Sequence, residues 1–96
     1  MSFPNYNAYS NITGQATTVL KAGSGNLHTI TFNTLTANEV ITIFDNTAGS
    51  GTKIGTITVP ATPVATPLTL VYDVRFSIGL TIVTATASSD ITVSFN

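Results

Sequence analysis

Charged side chains are scarce in this 96-residue chain: three Lys and Arg stand against four Asp and Glu, for a formal net charge of −1. Lys21, Lys53 and Arg75 are too few and too scattered to make the phosphate contacts that dominate nucleic-acid affinity, so no nucleic-acid partner is expected. Cysteine is absent, which excludes a disulfide scaffold, a thiolate zinc site and a cysteine nucleophile. No apolar run approaches the roughly 18 residues of a membrane-spanning helix, and no membrane partner is expected. The opening MSFPNYNAYSNITGQ has neither the cationic nor the apolar segment of a signal peptide, so synthesis in a cytoplasm without export is expected. The glycosylation sequon Asn11-Ile12-Thr13 would then never meet its enzyme.

What is abundant is β-branched. Thr occurs 19 times, and Ile and Val together 17 times, the composition of a pleated, half-buried surface. Residues 1–14 read as an arm: Pro4, Asn5, Asn7, Asn11 and Gly14 interrupt regular structure, while Phe3, Tyr6 and Tyr9 add aromatic rings suited to docking on a neighbour. A single domain follows over 15–96. Short strands are predicted over 16–22, 27–35, 39–45, 53–59, 68–76, 80–85 and 91–95, divided by Gly, Asn and Ser turns. The strongest alternation is Leu68, Leu70, Tyr72, Val74 and Phe76. Across Gly55 the apolar phase shifts from Ile54 to Ile57 and Val59, which predicts a bulge. Pro60, Pro63 and Pro67 mark an extended surface connection between sheets. The expected fold is all-β: an antiparallel, jelly-roll-like sandwich of about seven strands behind an N-terminal arm.

Chemistry is thinly supplied. His28 shares the phase of Ile30 and Phe32 and has no nucleophile motif beside it, which reads as a structural histidine. Asp73 and Arg75, two apart on one strand, share a face and make a candidate ion pair. Asp45 with Asn46, and Asp90, offer oxygen ligands, but their spacing matches no calcium loop, so no metal site is expected. Gly23-Ser24-Gly25 and Gly49-Ser50-Gly51 lack the residues of a phosphate loop. Neither catalytic residues nor a cofactor are expected, and the chain reads as a non-enzyme. The outward positions of the strands carry Thr and Ser in place of the charges that usually guard sheet edges, which points to a protein working inside an assembly.

Two segments carry a family resemblance: Asp45-Asn-Thr-Ala-Gly-Ser-Gly-Thr-Lys-Ile54, and Leu70-Val-Tyr-Asp-Val-Arg-Phe76 running into Gly79-Leu-Thr-Ile-Val-Thr-Ala85. Together with the ending Ser89-Asp-Ile-Thr-Val-Ser-Phe95, they resemble small virion proteins of tailed bacteriophages, of the head decoration or cement type. The resemblance excludes the arm. It implies a β-sandwich subunit, commonly a homotrimer, bound to the major capsid protein on the capsid exterior and strengthening the shell. Phe3, Tyr6, Tyr9, Pro60, Pro63 and Pro67 are the expected capsid or subunit contacts. The alternative is a tail, neck or fibre module, in which exposed rings grip host surface glycans.

Overall fold

A computed structural model describes residues 7–63 and 67–96. It is all β, with eight strands: β1 (Ala8–Thr13), β2 (Ala16–Ala22), β3 (Gly25–Thr34), β4 (Val40–Phe44), β5 (Lys53–Thr58), β6 (Leu68–Phe76), β7 (Gly79–Thr84) and β8 (Asp90–Phe95). They form two four-stranded sheets, ordered β1-β8-β3-β6 and β2-β7-β4-β5, and every pairing is antiparallel. Strand 1 pairs with 8, 2 with 7, 3 with 6 and 4 with 5. The chain is one long hairpin whose tip is the β4–β5 loop, rolled into two layers and closed by the β3–β8 and β4–β7 ladders. That is jelly-roll order.

All seven predicted strands are present. The eighth, β1, comes from the segment read as an arm: residues 8–13 pair with β8 in unbroken register, from Ala8↔Phe95 to Thr13↔Asp90. Ile12 supplies the reason, because its side chain is buried in the core. Phe3 and Tyr6 lie outside the described residues.

The core lies between the sheets. Leu27, Ile30 and Phe32 of β3, Ile41 and Ile43 of β4, Leu80 and Ile82 of β7, and Ile91 and Val93 of β8 are all fully buried. These belong to the four central strands, whose alternation supplies one apolar face each. The bulge predicted at Gly55 is present, since β4 residues Ile43 and Phe44 pair with Gly55 and Lys53 and leave Ile54 as the extra residue. The proline-bearing connection leads from β5 of one sheet to β6 of the other, as expected of a crossover.

Buried threonines hold the corners. Thr84 of β7 donates to Gly14 O at 2.6 Å and accepts from Ala16 N–H at 3.0 Å, clasping the turn where the chain leaves one sheet for the other. Thr81, on the same strand, donates to Asn46 O at 2.7 Å and holds the β4–β5 loop. Gly25 starts β3 for a different reason. A Cβ there would lie 2.0 Å from the Asn96 carbonyl oxygen and 2.7 Å from the Phe76 ring. Gly25→Ala is therefore expected to push β8 away from β3, lowering stability by about 1–2 kcal/mol. Amide exchange should show it first as lost protection of the reciprocal Asn26–Asn96 backbone pair, and unchanged protection there would contradict the close-approach argument.

Candidate functional site

The titratable groups come first, because an active site would have to be assembled from them. Asp45, where β4 ends, accepts hydrogen bonds from the backbone N–H groups of Ser77, Ile78 and Gly79 at 2.8–3.3 Å. Those donors, Ile78 and Ser77 foremost, hold its carboxyl below the ordinary value of 3.8. Asp90 is held low in the same way by the side-chain amides of Asn11, at 2.8 Å, and Asn33, at 3.1 Å. Glu39 is fully buried at the start of β4; its Oε2 accepts from Thr86 Oγ1 at 3.0 Å while Oε1 has no partner. Burial pushes its pKa above the ordinary 4.5, opposed by the Thr86 hydrogen bond.

The fourth carboxylate corrects two expectations. Asp73 is hydrogen-bonded to Nδ1 of His28, and no ion pair between Asp73 and Arg75 is formed among the described residues. The reason is a double irregularity in the ladders. Between Leu27 and Thr29, β6 advances from Val74 to Val71 while β8 steps only from Phe95 to Ser94. Asp73 takes φ +49° to absorb the extra residue, which turns its side chain away from the regular same-face relation to Arg75. The same bulge breaks the phase of His28: Leu27, not His28, joins Ile30 and Phe32 in the core, and His28 stays partly exposed beside Asp73. All four carboxylates are thus engaged within the sandwich, on four different elements, and no two converge.

The cations gather instead. Lys21, Lys53 and Arg75 pair in the ladders with Leu80, Phe44 and Asn26. Those positions adjoin the β2–β3, β4–β5 and β6–β7 turns, which meet through Gly23 N–H to Ile78 O and through the Ser77 and Ile78 N–H groups to the Asp45 carboxylate. Asn7 and Asn96, joined side chain to side chain at 3.0 Å, lie at this same end.

The expected contact residues are divided between the two ends. Tyr9, 78% exposed on β1, stands near the cationic end. Pro60, Pro63 and Pro67 belong to the opposite end, where β5 leaves Val40↔Thr58 and β6 enters at Phe32↔Leu68. Pro60 and Pro67 are exposed and Pro63 is half-buried. Pro60 and Pro63 also close an apolar cavity of about 80 Å³ against Phe32, Leu35, Ile57 and Val59. These two prolines cover the core as well as contributing surface.

Sheet edges differ sharply in their protection. Strand β2 slips register between Val19 and Lys21 and carries Lys21; β5 slips between Lys53 and Gly55 and carries Lys53; β6 slips between Val71 and Val74 and carries Asp73 and Arg75. Bulges and charges are the usual guards of an edge. Strand β1 has neither: AYSNIT is regular, uncharged and free of proline.

Sequence reading missed the burial of Glu39 and the clasping role of Thr81 and Thr84. A lone Glu at a strand start carries no burial signal, and Thr reads as a surface residue at any outward position. Compared with known proteins, the chain matches no family model, no curated protein and no solved structure.

Proposed function

We propose that the chain is a non-enzymatic virion structural protein of the decoration or cement type, attached to the outer surface of a phage head and stabilising the shell by contact with the major capsid protein. The observation that carries this reading is that each of the four carboxylates is engaged by a different partner within the sandwich and no two are brought together. Acid–base chemistry needs a titratable pair aimed at a common point, and these four are bound up in loops, bulges and strand ends. The outer faces offer Thr, Ser and Asn, hydrogen-bonding surfaces suited to broad, weak contact repeated over many copies. The resemblance of the segments 45–54, 70–76 and 79–85 supplies the specific assignment to a phage head; the jelly roll by itself serves many functions.

A clamp across neighbouring shell subunits needs contacts at separated points. Strand β1 begins at one end of the sandwich and Pro60 and Pro63 cover the other, which fits that requirement. Attachment is expected to depend on residues 1–6. Because 8–13 form β1, the informative truncation stops at residue 6: that variant should keep its far-UV spectrum and melting temperature while losing attachment to shells. Full decoration by the truncated chain would remove the segment from the interface.

The assignment itself is tested by the copy number of the chain relative to the major shell protein in purified particles. A ratio near one to one is expected. A few copies per hundred shell subunits would overturn it in favour of a tail, neck or fibre module, and absence from particles would overturn both.

A further inference from the structure

We propose that the edge of β1 left uncovered among the described residues pairs antiparallel with β1 of a second copy about a two-fold axis through Asn11, joining two four-stranded sheets into one of eight. The backbone fixes which groups are on offer. Gly14 N–H donates to Ser89 O at 2.9 Å, continuing the β1–β8 register. Peptide groups alternate in direction along an antiparallel strand. Ile12, Ser10 and Ala8 therefore face β8, and Thr13, Asn11 and Tyr9 turn their N–H and C=O groups to the open edge.

Those three residues are self-complementary. Centring the axis on Asn11 sets Asn11 against Asn11 of the second copy and Tyr9 against its Thr13, each a pair exchanging two backbone hydrogen bonds. The sum of paired numbers is even, so exposed side chains stay on the outer face of the joint sheet and Ile12 stays on the inner one. No charge opposes a like charge, because the strand has none. Strand β2, stacked beside β1 on the same flank, adds exposed Val19.

The occupant follows from the other edges. A strand from β2, β5 or β6 of a neighbour would bring a register slip and a charged side chain into the joint, so the edge that matches β1 within this molecule is β1 itself. Like pairing with like is an isologous contact, closed at two copies. This favours dimers as the unit of assembly over the trimer implied by the family resemblance, and it holds whatever particle the chain is built into.

The absence of cysteine makes the register readable. In an opposed hydrogen-bonded pair the Cα atoms lie about 5.5 Å apart, within disulfide range. Asn11→Cys in the full chain is expected to oxidise to a disulfide dimer at least about tenfold faster than Ser50→Cys, placed on the exposed β4–β5 loop. Tyr9→Cys and Thr13→Cys are each expected to cross-link slowly alone and quickly when mixed. Sedimentation equilibrium of the unmodified chain should give a dimer mass. Tyr9→Pro, which deletes an outward N–H while leaving the β8 ladder whole, should shift it to monomer with an unchanged far-UV spectrum. Thr13→Lys provides the same test should the proline variant fail to fold. A monomer or trimer mass for the unmodified chain, or an Asn11→Cys variant that oxidises no faster than Ser50→Cys, overturns the proposal.

Discussion

Phe32→Ala is expected to cost about 3–5 kcal/mol of folding stability, a large part of the roughly 5–15 kcal/mol a domain of this kind possesses. Phe32 is fully buried on β3, a central strand, where it sits opposite Ile91 of β8 and Leu68 of β6. Its ring therefore touches the layer where the two halves of the rolled hairpin meet. The cavity of about 80 Å³ beside it cannot absorb the loss; removing the ring enlarges that void, and a void left unfilled adds to the transfer cost. In thermal melts the change corresponds to a fall of more than about 12 °C. Urea denaturation gives the direct measure, and a loss under about 1 kcal/mol would mean that the sheets do not pack through this residue.

Glu39→Met is expected to act in the opposite direction, raising stability by about 3 kcal/mol at pH 8. The wild-type carboxylate is fully buried with one oxygen unpartnered, and an uncompensated buried charged group costs about that much or more. Methionine fills similar space with no charge, and Thr86 Oγ1 retains Ser89 Oγ at 3.1 Å. The pH dependence follows from the direction of the shift. Folding raises the pKa of Glu39 above 4.5, so its penalty is absent below that value, grows as pH rises from there to the folded-state pKa, and is constant beyond it. Asp45 and Asp90 behave conversely: folding lowers them below 3.8, so their contributions are full above that pH and fade in stronger acid. Wild-type stability should therefore peak at about pH 4 and decline as pH rises above about 4.5, until Glu39 is ionised in the folded state as well. The methionine variant should lose the neutral-side decline and keep the acid-side one. Equal slopes for the two proteins as pH rises above about 4.5 would show that Glu39 is not the source.

The fold was largely open to reading because its strands alternate cleanly and its turns are rich in Gly, Asn and Ser. Leu68 to Phe76 announces itself, and the phase change at Gly55 gives away a bulge before any partner strand is known. The unread parts depend on partners. In β1 only Ile12 is buried, so the strand exists because β8 offers it a ladder, not because AYSNIT insists on one. His28 and Asp73 fail the alternation rule because one bulge interrupts two ladders at once, and neither ladder is visible in a single segment. Glu39 becomes buried only when the β3–β4 turn and the β7–β8 turn close over it, Glu39 N–H bonding Thr36 O, Val59 N–H bonding Glu39 O and Thr86 bonding its carboxylate. The same limit applies to the site. The scarcity of acids and bases is legible in a count, but the partners that hold each of them appear only in three dimensions.

Pairing each strand with the one equally far from the opposite terminus sets a timetable for folding. Contacts between β4 and β5 span a short loop and can form while the rest of the chain is still extended, whereas Ala8 meets its partner only when Phe95 has been made. On the ribosome the sandwich cannot close until its last strand clears the exit tunnel, and every ladder apart from β4–β5 demands a longer loop closure first. Such topologies fold in milliseconds to seconds, not microseconds. Until closure, the β8 edge that β1 covers stays open, so premature termination anywhere before residue 90 leaves a product with an unfinished sheet for quality control to clear.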